Sequence, residues 1–506
     1  MTAMRSLPVA ERVHSFAEVA LGFDEAEVEA EAERCIQCKH PVCVDGCPNH
    51  NPIPTFISLV REGRYAEAAA VDYLQNALPS CTGRVCAWEQ QCEGRCVLHA
   101  RGEGVRIGAI ERFIADYALR HPDEVAGARA AMLETAAAVG RTPGADAPYG
   151  AVVSAYSAAT PEDAPEWDGR PDPSLIGREV AVVGAGPAGL ACADFLSRLG
   201  AGVTVWEAQQ QAGGLLADGI PEFVLPSATV GLEVERLRGQ GVRFRFGEAL
   251  GRDVELEALQ HGHDAVFLAI GASLARKMGI PGEDSRGVVT AQEFLHRGKL
   301  ALLPGPDAQA PDIGAHVLIV GAGNTAMDAA RTAVRLGASD VRVVYRRTEA
   351  ESPSRRVEIH HTVDEGVRFE YLVNPVAFLA DGGGRLRAVR LERMRLGKPD
   401  SSGRPRPEPI PDSAYELPCD TAILAVGYAV AGTDLQHPEM LARGGAIRTV
   451  DPSGATERGG IFAGGDAVRG PATVVEAVHD GRVAAHAIAA YLARLPRAAA
   501  LAAGRA

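Results

Sequence analysis

The sequence predicts an α/β chain in three parts: a helical, cysteine-rich N-terminal domain followed by two Rossmann-like nucleotide-binding domains. Three observations carry this. Eight of the ten cysteines lie before residue 97, in two groups set among helix-forming stretches. An apolar strand running into a glycine turn and a helix begins at Val180, and the pattern recurs at Val317. At 506 residues the chain is too long for one core and suits about three domains of roughly 100–200 residues each.

Residues 1–120 are expected to form helices and loops. "DEAEVEAEAERC" is a good helix former leading into the first cysteines, while "IPTFISLVREGRYAEAAAVDYL" and "IGAIERFIADYAL" carry apolar residues at helical spacing. The first cysteine group reads "CIQCKHPVCVDGCP" (Cys35, Cys38, Cys43, Cys47) and the second "CTGRVCAWEQQCEGRC" (Cys81, Cys86, Cys92, Cys96). Disulfides belong to oxidising compartments. The N-terminus shows neither an apolar h-region nor a small-residue cleavage site, so the expected setting is a reducing cytoplasm. No apolar run has the length of a membrane span. Zinc sites usually present two separated CxxC or CxxH knuckles, and the chain has one CxxC. The C-x2-C-x2-C-x3-C-P run that holds bacterial 4Fe-4S clusters is matched at Cys35 with two residues added before the third cysteine. The cysteines therefore point to iron–sulfur clusters.

From 121 to 177 the composition shifts to Ala, Pro, Gly and Asp, in "TPGADAPYG" and "ATPEDAPEWDGRPDP", which reads as an extended or flexible linker. Next comes "EVAVVGAGPAGLACADFLSRLGAGVTVWEA", with Gly184, Gly186 and Gly189 in a GxGxxG frame and a second strand ending at Glu207. Strand, turn, helix, strand and acid follow in the order of a dinucleotide site. Such glycines let the backbone approach a pyrophosphate at a helix N-terminus, and the acid takes ribose hydroxyls.

The frame recurs in "AHVLIVGAGNTAMDAARTAVRLGASDVRVVYRR", with Gly321, Gly323 and Ala326, Ala being allowed at the third position. Here the second strand ends in Tyr345, Arg346 and Arg347 instead of an acid, and Arg355 and Arg356 follow. A carboxylate would repel a 2′-phosphate, whereas arginine pairs with one bidentately. The first site is thus expected to take an adenine dinucleotide with a free ribose, and the second NADP. Two sites in one chain imply electron transfer between two dinucleotides. "DAVFLAIGA" (Gly271) and "TAILAVGYA" (Gly427) are apolar strands ending in glycine, as expected where the chain crosses between two such domains. Near the C-terminus "GGIFAGGDAVRGPATVVEAVHDGRVAAHAIAAYL" gives a strand, Asp466 and a long helix. The acid suits ribityl hydroxyls, and the helix dipole suits negative charge on a reduced flavin. A net charge of −14 argues against a nucleic-acid partner.

Together with "IGAIERF", "GAGPAGL", "GGLLADGIPEFVLP", "GAGNTAMDAARTA", "VYRR" and "FAGGDAVRG", these stretches resemble the small (β) subunit of NADPH-dependent glutamate synthase and its relatives over nearly the full length. Those relatives include the large subunit of NADH-dependent ferredoxin:NADP oxidoreductase, sulfide dehydrogenase and the N-terminal half of dihydropyrimidine dehydrogenase. The resemblance implies a helical iron–sulfur domain at 1–120 with two 4Fe-4S clusters. A linker follows at 121–177. An FAD-binding domain at 178–310 and 416–506 is interrupted by an NADPH-binding domain at 311–415, as in glutathione-reductase-like enzymes.

The resemblance also implies ligands. Cys35, Cys38, Cys43 and Cys96 are expected on one cluster, and Cys47, Cys86, Cys92 and Glu111 on the other. Cys81 is left a non-ligand, although counting alone prefers eight cysteines. FAD is expected on Gly184, Gly186, Gly189, Glu207, Gly214, Gly271, Gly465 and Asp466, and NADPH on Gly321, Gly323, Asn324, Arg346 and Arg347. Electrons would pass from NADPH through FAD to the clusters and on to a partner, foremost a glutamate synthase large subunit. Dihydropyrimidine, sulfide or sulfur, and ferredoxin-linked transhydrogenase chemistry are the alternatives, as is a nucleotide-binding module without turnover of its own. The chain departs from the family pattern at Ala87 of "RVCA", Asp218 of "GGLLADGIPEF" and His479 of "VHDG".

Overall fold

The computed structural model describes residues 4–139, 171–302, 310–400, 403–430 and 435–496. Two parallel five-stranded sheets form its frame. The first runs in the order Ile461–Ala463, Ala265–Leu268, Glu179–Val183, Gly202–Glu207, Arg243–Phe246. Its central strands are apolar on both sides, Val180 to Val183 being buried throughout, because helices cover both faces of a parallel sheet. Pro187–Arg198 and Val474–Arg494 pack together against it, and their side chains share one core with the strands. The second sheet runs Arg368–Tyr371, Asp340–Tyr345, His316–Val320, Thr421–Leu424, Val288–Thr290.

The pairings move the expected domain edges. Val288–Thr290 and Thr421–Leu424 belong to the second sheet, so the second domain reaches beyond 311–415 on both sides. The chain crosses between domains where Leu274–Ala275 pairs antiparallel with Tyr428–Ala429, three residues after Gly271 and one after Gly427. A three-residue edge strand leaves almost no periodic signal in the sequence. An antiparallel sheet of Val373–Ala380, Leu386–Pro399, Pro405–Pro409 and Tyr415–Pro418 is inserted into the second domain.

Apart from a short antiparallel pair, Arg5–Ser6 with Ala20–Gly22, the described residues up to 120 form helices and loops, as expected. An Asp24–Glu27 capping box starts Glu25–Glu33, Pro54 lies in the first turn of Ile53–Arg61, and Tyr65–Tyr73, Pro79–Val85 and Ile107–Arg120 follow. The expected linker from 121 begins instead as a helix, Pro122–Val139; alanine, read there as linker composition, is the best helix former. Much of the remaining linker, 140–170, lies outside the described residues. Among the described residues no helix is long and apolar enough to cross a membrane.

A buried ionic network ties the N-terminal segment to the second domain. Arg12 Nε lies 3.1 Å from Glu365 Oε1, and Arg331 and Arg335 donate to the same carboxylate at 3.0 and 2.5 Å. Arg335 also donates to the Ser15 carbonyl at 2.9 Å, and its guanidinium lies 3.9 Å from the Phe223 ring centroid. Phe223 comes from the first domain, and its carbonyl accepts from Val19 N–H. Breaking a buried pair strands the remaining charges, at about 3–5 kcal/mol. Glu365→Ala is therefore expected to lower the thermal unfolding midpoint markedly, and an unchanged melt contradicts the network's bracing role.

Candidate functional site

The first glycine turn has the sterics of a dinucleotide loop. Gly184 has φ +103°, and a Cβ there would lie 2.3 Å from the Ala269 carbonyl oxygen; one on Gly189 would lie 1.9 Å from that of Gly184. Gly186 caps Pro187–Arg198, and the space beside it is open, leaving unshared helix N–H groups for a phosphate. Gly214, at φ +53°, packs its backbone against Gly186. Glu207 accepts from Ala185 N–H and Gln209 N–H, each at 2.8 Å, which holds its carboxylate beside the loop. Gly465 holds a backbone conformation essentially restricted to glycine (φ +66°, ψ −153°) close to Ala188, and Asp466 follows at the start of a short helix. Burial raises the Asp466 carboxyl to about 6. Gly271 sits at the crossover with φ +71°.

The second turn repeats the first. Gly321 lies against the Ala425 carbonyl as Gly184 lies against that of Ala269, and Gly323 caps Asn324–Arg335. Asn324 Oδ1 accepts from Ser354 Oγ at 2.9 Å and Arg355 N–H at 3.0 Å. The two expected arginines separate. Arg346 is exposed on the cleft wall and makes no hydrogen bond or ion pair among the described residues. Arg347 is buried; it donates to Asp400 Oδ2 at 2.7 Å and the Pro405 carbonyl at 2.9 Å. Arg347 lines the same cleft, but its guanidinium is engaged in bracing the inserted hairpin. Arg355 also lines the cleft, and its guanidinium lies over the Trp88 ring.

One cavity of about 840 Å³, within the usual range for ligand sites, brings Gly321, Gly323, Asn324, Arg346 and Arg347 together with Asp466, while Gly184, Gly186, Gly189, Glu207, Gly214, Gly271 and Gly465 are not part of its lining. Gly321 to Thr325, Tyr345 to Arg347 and Arg404 line one end; Leu215, Ile220, Asp466 and Pro471 to Val474 line the other. It opens where the strands of the second sheet end, the usual place for a ligand in such folds.

The cysteines fall around two smaller cavities. One is lined by Cys35, Cys38, Cys43 and Cys96, with Ile36, Val42 and Val97 on its outer wall. The other is lined by Cys47, Cys86, Cys92 and Glu111, with Trp88, Phe56 and Val475. Cys81 lines neither and is buried in the core of the first sheet. Burial pushes the Cys43 and Cys47 thiols up to about 12 and holds those of Cys86 and Cys92 well above the ordinary range. Thiolates in such places need positive charge beside them, which iron supplies. Glu111 accepts from Asn76 Nδ2 at 2.8 Å and Thr82 Oγ1 at 2.7 Å, and burial raises it to about 7. These partners fix its orientation, as outer-shell groups do for ligands. Among the described residues no three His, Cys, Asp or Glu groups gather closely enough for a single metal ion; a cubane sets its ligands further apart because its irons lie between them. The donor sets fit clusters.

The sequence reading missed Trp88, Val475, Asn76 and Thr82. Trp88 and Val475 look like ordinary core residues in sequence, and no spacing marks Asn76 and Thr82 as supports of Glu111. Of the family departures, Ala87 lines the nucleotide cavity. Asp218 accepts from Gln211, and His479, half-buried beside Arg482, is lowered to about 4, chiefly by burial.

Residues 12–122 match the family described as dihydropyrimidine dehydrogenase domain II, 4Fe-4S cluster, and residues 178–481 match pyridine nucleotide-disulphide oxidoreductase. The glutamate synthase [NADPH] small chain of Escherichia coli is 35% identical, covering 96% of both chains. The chain belongs to this family. It is a flavin- and iron–sulfur-containing oxidoreductase. Putative oxidoreductase AegA of Escherichia coli is 36% identical across 96% of this chain and 69% of its own. The NADP(+)-dependent formate dehydrogenase subunit beta of Moorella thermoacetica is 38% identical across 89% and 60%. Among solved structures, Mycobacterium tuberculosis FprA in complex with NADPH aligns with a TM-score of 0.55 at 20% identity, covering 62% of this chain and 84% of that one, which shows a shared fold.

The two cysteine cavities make a clean test. Glu111→Ala is expected to alter the EPR signal of one cluster and spare the other, while Cys81→Ser keeps the iron content of the wild type. Loss of iron in Cys81→Ser, with Glu111→Ala silent, would make Cys81 the eighth ligand.

Proposed function

We propose that the chain draws electrons from NADPH through FAD and two 4Fe-4S clusters and delivers them to a partner protein, foremost the large subunit of a glutamate synthase. One observation carries the route. Val474 lines the nucleotide cavity, while its neighbour Val475 lines the cavity of Cys47, Cys86, Cys92 and Glu111. A single helix start thus forms the wall between the flavin and cluster sites.

When bound, FAD takes a two-electron hydride equivalent from NADPH and passes single electrons onward, so no side chain need act as nucleophile. The chain's residues hold and orient. Gly184, Gly186 and the helix start at Pro187 take the FAD pyrophosphate, Gly189 and Gly214 let the backbones close around it, and Glu207 takes the ribose. Asp466, between Gly465 and the helix after it, takes ribityl hydroxyls, with Gly271 at the crossover beneath. Gly321, Gly323 and the helix start at Asn324 take the NADPH pyrophosphate, and Arg346 takes the 2′-phosphate. Cys35, Cys38, Cys43 and Cys96 hold the outer cluster, and Cys47, Cys86, Cys92 and Glu111 the inner one. Ile36, Val42 and Val97 are exposed over the outer cavity and form the apolar exit where a partner docks.

A second reading has support in the formate dehydrogenase subunit, whose identity to this chain equals that of the glutamate synthase small chains or better. On it the same electron route serves another acceptor.

Nucleotide choice tests the route's entrance. The isolated protein is expected to oxidise NADPH with an artificial acceptor and to prefer it over NADH. Arg346→Ala should raise KM for NADPH with little change in kcat, because the 2′-phosphate is remote from the hydride and binds ground and transition states alike. Arg347→Ala should instead lower stability. A wild type that prefers NADH, or an Arg346→Ala with unaltered NADPH constants, contradicts the assignment. Glutamate formation from glutamine and 2-oxoglutarate is expected only after the large subunit is added; if the pure chain makes glutamate unaided, the subunit reading fails.

A further inference from the structure

Arg355 connects the nucleotide cavity to the inner cysteine cavity. Its backbone N–H donates to Asn324 Oδ1, at the start of the helix that faces the nucleotide cavity. Its side chain lines that cavity together with Glu358. From there the guanidinium reaches across to the N-terminal domain, donating to the Arg84 carbonyl at 2.7 Å and lying 4.3 Å from the Trp88 ring centroid. Arg84 is two residues before Cys86, and Trp88 two after it; Cys86 and Trp88 both line the inner cysteine cavity. A second bond fastens the junction: Arg356 N–H donates to Glu89 Oε1 at 3.0 Å. Arg355 is only 5% exposed and lies 3.8 Å from the Glu358 carboxylate, so its charge is partly balanced by that partner but little screened by solvent from either cavity.

We propose that Arg355 is a positioning residue through which dinucleotide occupancy sets the reduction potential of the cluster held by Cys47, Cys86, Cys92 and Glu111; this rests on the ligand reading given above. A cluster gains negative charge on reduction, so the nearby guanidinium favours its reduced form. The phosphates of NADP+ bring negative charge into the cavity that Arg355 lines and draw on the same guanidinium, lowering the cluster's potential. Binding linkage is reciprocal: reduction of the cluster weakens NADP+ binding, so product leaves once electrons have moved inward.

The test is an anaerobic redox titration of the holoprotein followed by EPR, with and without NADP+. The signal that Glu111→Ala alters identifies the inner cluster. NADP+ is expected to shift that cluster to lower potential in the wild type and to leave the other in place. Arg355→Gln is expected to lower its resting potential and abolish the NADP+ shift, and Arg355→Lys to restore most of the resting value. Should Arg355→Gln lose its clusters, Trp88→Phe, which loosens the seat of the guanidinium but keeps its charge, is expected to diminish the shift. The proposal is overturned by a wild type without an NADP+ shift, by a shift that persists in Arg355→Gln or is undiminished in Trp88→Phe, or by equal displacement of both clusters. Failure of NADPH to reduce the wild-type flavin overturns the nucleotide reading and this proposal with it.

Discussion

The start of one helix, Val474–Arg494, is the constraint on which the rest depends. A Thr473–Glu476 capping box fixes its first turn, with Thr473 N–H donating to Glu476 Oε2 at 2.9 Å. Val474 then faces the nucleotide cavity while Val475, buried at 2% exposure, completes the core of the N-terminal domain. Further along, Gly481 lets the helix press against Pro187–Arg198, since a Cβ there would lie 2.1 Å from the Ala188 carbonyl oxygen. That close contact sets the helix against the first glycine turn, and so sets the wall of the large cavity and the wall of the inner cysteine cavity together.

The domains around this helix are braced on both sides. Tyr73 and Ser80 of the N-terminal domain donate to Glu233 of the first nucleotide domain at 2.9 and 2.6 Å, and Arg198 donates to the Tyr73 carbonyl at 2.5 Å. The second nucleotide domain is held by Glu365 through Arg12 and by Arg355 through Trp88. Buried charges used this way give little net stability but strongly penalise any arrangement that separates them. A fixed distance between nucleotide, flavin and cluster sites follows, which suits a relay in which cofactors carry the chemistry and the protein sets their spacing.

The dinucleotide turns and cysteine groups were legible because their chemistry allows few residues. Gly184, Gly189 and Gly321 sit against carbonyl oxygens where no side chain fits, and thiolate clusters need cysteine at close spacing. The grouping of Glu111 with three cysteines came from family resemblance; no local pattern in the sequence joins residues 47, 86, 92 and 111. Arg346 and Arg347 looked equivalent, and both line the cavity, yet Arg346 is exposed there while the buried Arg347 guanidinium is held by Asp400 and Pro405 of the inserted hairpin. Domain edges were misread because Val288–Thr290 and Thr421–Leu424 are short and join the second sheet only through distant pairing. The helix Pro122–Val139 was hidden by its alanine-rich composition. Trp88 and Arg355 act between domains, and contacts so far apart in sequence leave no trace in it.

The account stands on electrons crossing the wall at Val474 and Val475, and anaerobic rapid mixing of the holoprotein with NADPH tests this most directly. Flavin absorbance should bleach first, followed by bleaching of the broader cluster absorbance and the EPR signal of a reduced cluster, with the second phase altered in Glu111→Ala. Full flavin reduction with both clusters still oxidised and EPR-silent would contradict the account.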